Sequence, residues 1–262
     1  MSRITNERVH IIPLGYEFDR AVRPFDDNPA ERVYLITEKG ADGYAADDYY
    51  VTKVADALRS KGIDVEVVTA NTFNLRELLR VLSFLTLKEV KMKNSVWVNM
   101  SASGKLGAAA ATMAGMAHGA SVYYVPADRY SSEEERKEHG ISVCTSPELI
   151  LLPKVTIALP SYNEIHALTY LYQENRELST TEISLEFSGS VVNREDYAND
   201  DRLYEEQRKK QSKILMGITN MMKHMEEKNY VSKKKKGRQM MYTIEDAGID
   251  ALFLSGKYPP EN

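Results

Sequence analysis

Two stretches of this 262-residue chain gather side chains that bind anions. The first is Val98-Asn99-Met100-Ser101-Ala102-Ser103-Gly104-Lys105, which joins an apolar run to a run of small residues. Where a strand hands over to a helix, the first helical N–H groups lack intrahelical partners and the dipole end is positive, which suits a phosphate. Asn99, Ser101, Ser103, Gly104 and Lys105 are therefore candidate ligand contacts. Neither GxxxxGK[ST] nor GxGxxG is present, and a plain capped turn with Lys105 in water would use the same residues. A second loop, Gly15-Tyr16-Glu17-Phe18-Asp19-Arg20, adds Gly15, which permits close backbone approach, and Tyr16, which could stack on a base or seal a sheet edge.

The other stretch is cationic. Between residues 207 and 242 eleven Lys or Arg stand against Glu226 and Glu227, +9 inside a chain of net charge −4. Just upstream, Glu195, Asp196, Asp200, Asp201, Glu205 and Glu206 are acidic. This asymmetry points to one localised anionic partner. Lys233, Lys234, Lys235, Lys236 and Arg238 fall between two strand-like segments, with residues 233–237 expected to turn. Arg208, Lys209, Lys210 and Lys213 lie on the preceding helix. Cations in such places contact phosphates and read little sequence. Gln207, Gln211, Ser212 and Asn220 are the side chains that could reach base edges. An isolated lysine run would be a solvated turn. Behind a long amphipathic helix it is where a wing would lie.

The elements that must position these residues alternate through the first half. Strands are expected at 9–14, 32–37, 63–68, 95–100 and 121–125, and helices at 44–61, 74–92 and 105–118. Such alternation, with near-continuous apolar strands, indicates a parallel sheet covered on both faces, an α/β Rossmann-like domain. Ligands bind such sheets at the carboxyl ends of the strands, where both anion-binding loops fall. Residues 128–140 read as a charged helix or loop and 142–152 as a possible further strand, weakened by Pro147. A boundary at about 155 divides a domain over 1–155 from one over 156–262. In the latter, helices are expected at 162–174, from Ser179 or Thr180, and at 201–228 with Leu215, Ile218, Met222 and Met225 inward, followed by a hairpin over 229–244.

Composition excludes several classes. No apolar run nears the roughly 20 residues of a membrane span. The chain runs from Met1 into a strand without a signal-peptide core. Cys144 is the single cysteine, so a reducing cytoplasm is expected. His10, His118, His139, His166 and His224 are scattered, so neither a metal set nor a resident cofactor is expected.

The order of elements, the Gly15–Asp19 loop and the Asn99–Lys105 loop resemble the CARF domain (CRISPR-associated Rossmann fold), here joined to a winged helix-turn-helix as in archaeal transcription regulators. The fourth-strand motif departs from the family pattern at Ala102, where glycine is frequent, and at Gly104, where threonine often stands. The resemblance implies a homodimer that senses a nucleotide-type effector, cyclic oligoadenylate in well-studied relatives, and binds double-stranded DNA. It leaves two alternatives. One is a ring nuclease that cleaves cyclic oligoadenylate with Ser101 and Lys105; the other is an RNA- or protein-binding adaptor.

Overall fold

A computed structural model describes residues 6–38, 48–145, 148–189, 196 and 200–260. Expectations for the helix between residues 44 and 47, for Pro147 and for Glu195 lie outside the described residues. The chain divides into two compact units, Met1–Leu159 with Phe253–Asn262, and Pro160–Leu252.

The first unit runs β1 (Arg8–Pro13), α1 (Asp19–Val22), a 3₁₀ turn (Arg23–Phe25), β2 (Arg32–Glu38), α2 (Asp48–Ser60), β3 (Asp64–Ala70), α3 (Leu75–Lys91), β4 (Ser95–Asn99), α4 (Lys105–Ala117) and β5 (Ser121–Tyr124). Three short pieces follow, β6 (Arg129–Tyr130), α5 (Arg136–His139) and β7 (Ser142–Val143), then β8 (Ile150–Leu151). The main sheet has the order β3-β2-β1-β4-β5-β8. All its pairings are parallel except that of β8 with β5.

Strand alternation explains the two-sided core. Val9, Ile11, Tyr34 and Ile36 pack with Leu78, Leu82 and Ala110 of α3 and α4, while Ile12, Val33 and Leu35 pack with Val51, Val54 and Leu58 of α2. β1 and β2 are buried on both faces, hence their apolar continuity. Asn74 caps α3, accepting from the N–H groups of Arg76 and Glu77. Small residues let α4 lie close to the sheet: a Cβ on Gly115 would stand 2.4 Å from Val122 Cγ2.

The segment over 128–145 is neither one helix nor one strand. β6 and β7 form a separate antiparallel pair, and only β8 joins the main sheet. Two-residue strands carry no periodicity to read.

His10 lies fully buried on β1, its Nδ1 3.0 Å from Tyr123 Oη, between Phe25 and Trp97. Burial pushes its pKa down from 6.5 to about 3. As pH falls through this window the unfolded chain takes a proton that the folded one refuses, so stability must fall with pH. Urea titrations of the wild type are expected to show this loss between about pH 6.5 and 3, and His10→Phe to flatten it. An equal slope in both proteins refutes the assignment.

The second unit runs α6 (Tyr162–Glu174), β9 (Leu178–Ser179), α7 (Thr180–Ser188), α8 (Asp201–Glu227), β10 (Val231–Lys236) and β11 (Gln239–Ile244), with α9 (Asp246–Leu254) closing the order. Its sheet is antiparallel, β10-β11-β9. Ser161 with Glu164 and Ser179 with Glu182 form capping boxes that start α6 and α7. On α8 the buried residues are Ile218, Met222 and Met225, whereas Leu215, expected beside them, is 39% exposed.

The lysine run is not the turn. Lys233–Lys236 are strand residues paired with 239–242, and the turn is Gly237-Arg238 alone. Gly237 has φ +64°, the conformation that a two-residue hairpin turn requires at its first central position.

Candidate functional site

In the first unit β1 and β4 are neighbours, yet the chain leaves β1 toward the α1–α2 side and β4 toward the α3–α4 side. Their loops diverge and leave a crevice at the carboxyl ends, the switch point of a doubly wound sheet. The Gly15–Asp19 and Asn99–Lys105 loops meet there. Gly15 N donates to Ala102 O at 2.8 Å.

Asn99 organises the turn from within. It is fully buried; Nδ2 donates to Arg20 O (2.9 Å), and Oδ1 accepts from Ser101 N (2.8 Å) and Ser101 Oγ (2.7 Å). Ser101 Oγ in turn accepts from Val125 N at 2.9 Å, which ties the turn to the end of β5. Asn99 and Ser101 thus face inward with their polar atoms engaged.

Gly104, Lys105 and Tyr16 face solvent, and Ser103 is half-exposed. Gly104 is the N-cap of α4 in extended conformation, and no side chain caps the helix there. Its first-turn N–H groups therefore point outward beside Lys105, ready for an anion. Ser103 sits over this turn only because residue 107 is glycine: a Cβ there would lie 2.3 Å from Ser103 Oγ.

Three features of this end were not marked in the sequence. Arg20 bridges the loops, with Nη1 3.3 Å from both Glu17 Oε1 and Ser101 O, and Nη2 3.1 Å from Tyr124 Oη. The 128–145 segment clamps the Gly15–Asp19 loop. Phe18 N donates to His139 O (3.1 Å) and Ile141 N to Tyr16 O (2.7 Å). Buried Glu17 accepts from Ser142 N and Oγ, and buried Asp19 accepts from Cys144 N at 2.9 Å with His139 Nδ1 also at 2.9 Å. Burial raises the Glu17 pKa against the opposing pull of Ser142 and Arg20, and pushes the Cys144 thiol up to about 11. The third feature is aromatic: Tyr16 meets Tyr50 edge-on at 5.6 Å, and Tyr50 Oη donates to Arg136 O. The acidic pair and the histidine lie over a hundred residues apart in sequence, so no local motif announces them.

A family model described as "HFX_2341_N:-like, N-terminal" matches residues 8–130. The matched stretch begins with β1, ends with β6 and takes in both crevice loops. An uncharacterized protein of Methanocaldococcus jannaschii, MJ1513, is 27% identical over 115 residues, 41% of this chain and 34% of that protein. The chain thus spans about a third of the length of the curated relative it matches. Among solved structures, Can2 from Sulfobacillus thermosulfidooxidans in complex with cyclic tetra-adenylate is similar over 45% of this chain and 32% of its own, with 17% identity and TM-score 0.39. Protein VC1899 from Vibrio cholerae is similar over 95% of this chain and 66% of its own, with 13% identity and TM-score 0.43.

In the second unit the cations are arranged on two surfaces. Lys234 and Lys236 point to one face of β10, Lys233 and Lys235 to the other, by strand alternation. Lys233 Nζ lies 2.5 Å from Glu226 Oε2, and this partner raises its pKa. Arg208 pairs with Glu205 at 3.5 Å. Lys209, Lys210 and Lys213 are exposed on α8 without an ion pair among the described residues. A cavity of about 510 Å³ lies at the base of the hairpin, lined by Glu226, Lys233, Glu245 and Asp246 among others. Its mixed charge gives it no selectivity for an anion. Among the described residues no cluster could hold a metal ion, and no helix is long and apolar enough to cross a membrane.

Proposed function

We propose that the chain is a ligand-responsive DNA-binding transcription regulator. Its first unit, a CARF-like sensor, takes an anionic nucleotide-type effector, with cyclic oligoadenylate as the candidate. The second unit, whose order helix, strand, helix, helix, hairpin is that of a winged helix, binds duplex DNA. The observation that carries the reading is the uncapped N-terminus of α4 beside Lys105, at the switch-point crevice, in a chain that also bears a separate basic hairpin. Lys105 and the α4 N–H groups would share the phosphate charge. Glycine at 104 leaves that N-terminus without a competing side-chain cap.

The ring-nuclease alternative gains nothing from Ser101. Its hydroxyl donates to Asn99 and accepts from Val125, so it has no free role toward a ligand. The proposed regulator works as a homodimer, with two hairpins on two half-sites of a pseudo-palindromic operator.

Titration of a cyclic-oligoadenylate panel against wild type and Lys105→Ala, with and without DNA, tests this. Because Lys105 is exposed, its loss is expected to weaken binding about tenfold, the low end for a charged hydrogen bond. DNA binding without ligand should be unchanged, and light scattering should give a dimer mass. Equal ligand affinity in both proteins removes the pocket assignment. A ligand that leaves DNA affinity unmoved removes the regulation, since equal binding to two states shifts neither.

A further inference from the structure

α8 carries more information than its charge. Its buried residues Ile218, Met222 and Met225 fix its rotational phase. At 100° per residue, Gln207, Gln211 and Ile214 fall on the same side, and each is half-buried there. Gln207 and Gln211, expected to reach bases, therefore face inward. The opposite side bears Lys209, Lys213, Met216, Asn220 and Lys223, at spacings of 4, 3, 4 and 3, all exposed. This stripe covers about 21 Å of helix.

The stripe is unsatisfied by the protein itself. Among the described residues Lys209, Lys213 and Lys223 make no ion pair and the Asn220 amide no hydrogen bond. Ser212 and Thr219, at its margins, instead donate to their own helix, to Arg208 O at 2.9 Å and Leu215 O at 2.8 Å. Met216 is 67% exposed in the middle of a cationic face. A flexible thioether there suits a small apolar partner surrounded by negative charge. The thymine methyl in a major groove is such a partner, and an α-helix about 10–12 Å across fits a groove about 12 Å wide.

Resting on the DNA-binding reading, we infer that Met216 and Asn220 read bases, Asn220 an adenine and Met216 a thymine methyl, while Lys213 and Lys223 hold flanking phosphates. The asparagine amide presents one donor and one acceptor, the complement of adenine N7 and N6–H. The lysines set register without choosing sequence.

Selection from a random duplex library with the full-length protein tests this. Wild-type sites are expected to share an adenine and a thymine at fixed spacing. Asn220→Ala should lose roughly tenfold in discrimination at that adenine and nothing elsewhere. Wild type should prefer thymine over uracil at one position by about fourfold, the worth of one buried methyl group, and Met216→Ala should lose the preference. Lys223→Ala should weaken all sites alike. These side chains are exposed, so unchanged melting temperatures are expected. If N220A and M216A select wild-type sites with wild-type affinity, the reading face is wrong. If wild type binds duplex without any preferred site, this inference fails and DNA binding stands; if it binds no duplex, both fail.

Discussion

Gly140→Ala is expected to lower the unfolding free energy of the first unit by about 3–5 kcal/mol, against about 1 kcal/mol for Gly119→Ala. Both glycines have positive φ, +83° and +72°. Gly140 also has ψ −151°, a region that essentially only glycine occupies. A Cβ there would stand 2.6 Å from Phe18 N and Tyr16 O and 2.8 Å from Glu17 Cα, all backbone, whereas one on Gly119 would meet nothing within 4 Å. The methyl must therefore push the 128–145 clamp off the Gly15–Asp19 loop, and Glu17 and Asp19 would lose their partners while still buried. Trp97, the only tryptophan, lies in β4 and reports this unit's urea unfolding by fluorescence. A Gly140→Ala protein within 1 kcal/mol of Gly119→Ala would mean that the clamp gives way without strain.

Alanine at Lys234, Lys235, Lys236 and Arg238 together is expected to weaken duplex binding about 100-fold at 0.15 M salt, with little regard to sequence. Each phosphate contact releases about 0.9 counterion and so contributes roughly 0.7 of a decade at that salt. Lysines alternate between two faces of β10, so roughly two to three of the four can touch phosphate at once. The slope of log K against log salt should accordingly shrink by about 2–3 units. Adding Lys233→Ala should change little further, because Glu226 already holds that ammonium. Fluorescence anisotropy at several salt concentrations gives both quantities, and an unchanged slope would mean that these strand lysines are merely solvated and touch no phosphate.

Much of the frame was legible because long elements carry long patterns. The five parallel strands, α3 with its leucine stripe and the hairpin after α8 all lie close to where periodicity puts them. Both crevice loops fall where strand-to-helix handovers put them. Three things were hidden, each for a physical reason. The clamp is built of two-residue strands and side-chain bonds across more than a hundred residues, which leave no local signal. Asn99 and Ser101 look like ligand contacts by type, but a polar side chain at a strand end can equally bind its own turn, and both do so here. On α8, taking Leu215 as inward hid the phase of the helix. Ile218, Met222 and Met225 set it, and they turn Gln211 inward and Met216 out.

Because Asn99 and Ser101 bond to one another and to neighbouring backbone, the bonds that hold this turn and the side chains proposed to face a ligand sit at different positions of it. Tyr16, Ser103 and Lys105 can change without touching a bond that joins the ends of β1, β4 and β5. In the proposed sensor, single substitutions at those three positions can therefore alter ligand preference while every intermediate still folds. A change at Asn99 would instead loosen the turn itself, since its amide holds Arg20 O and both donors of Ser101.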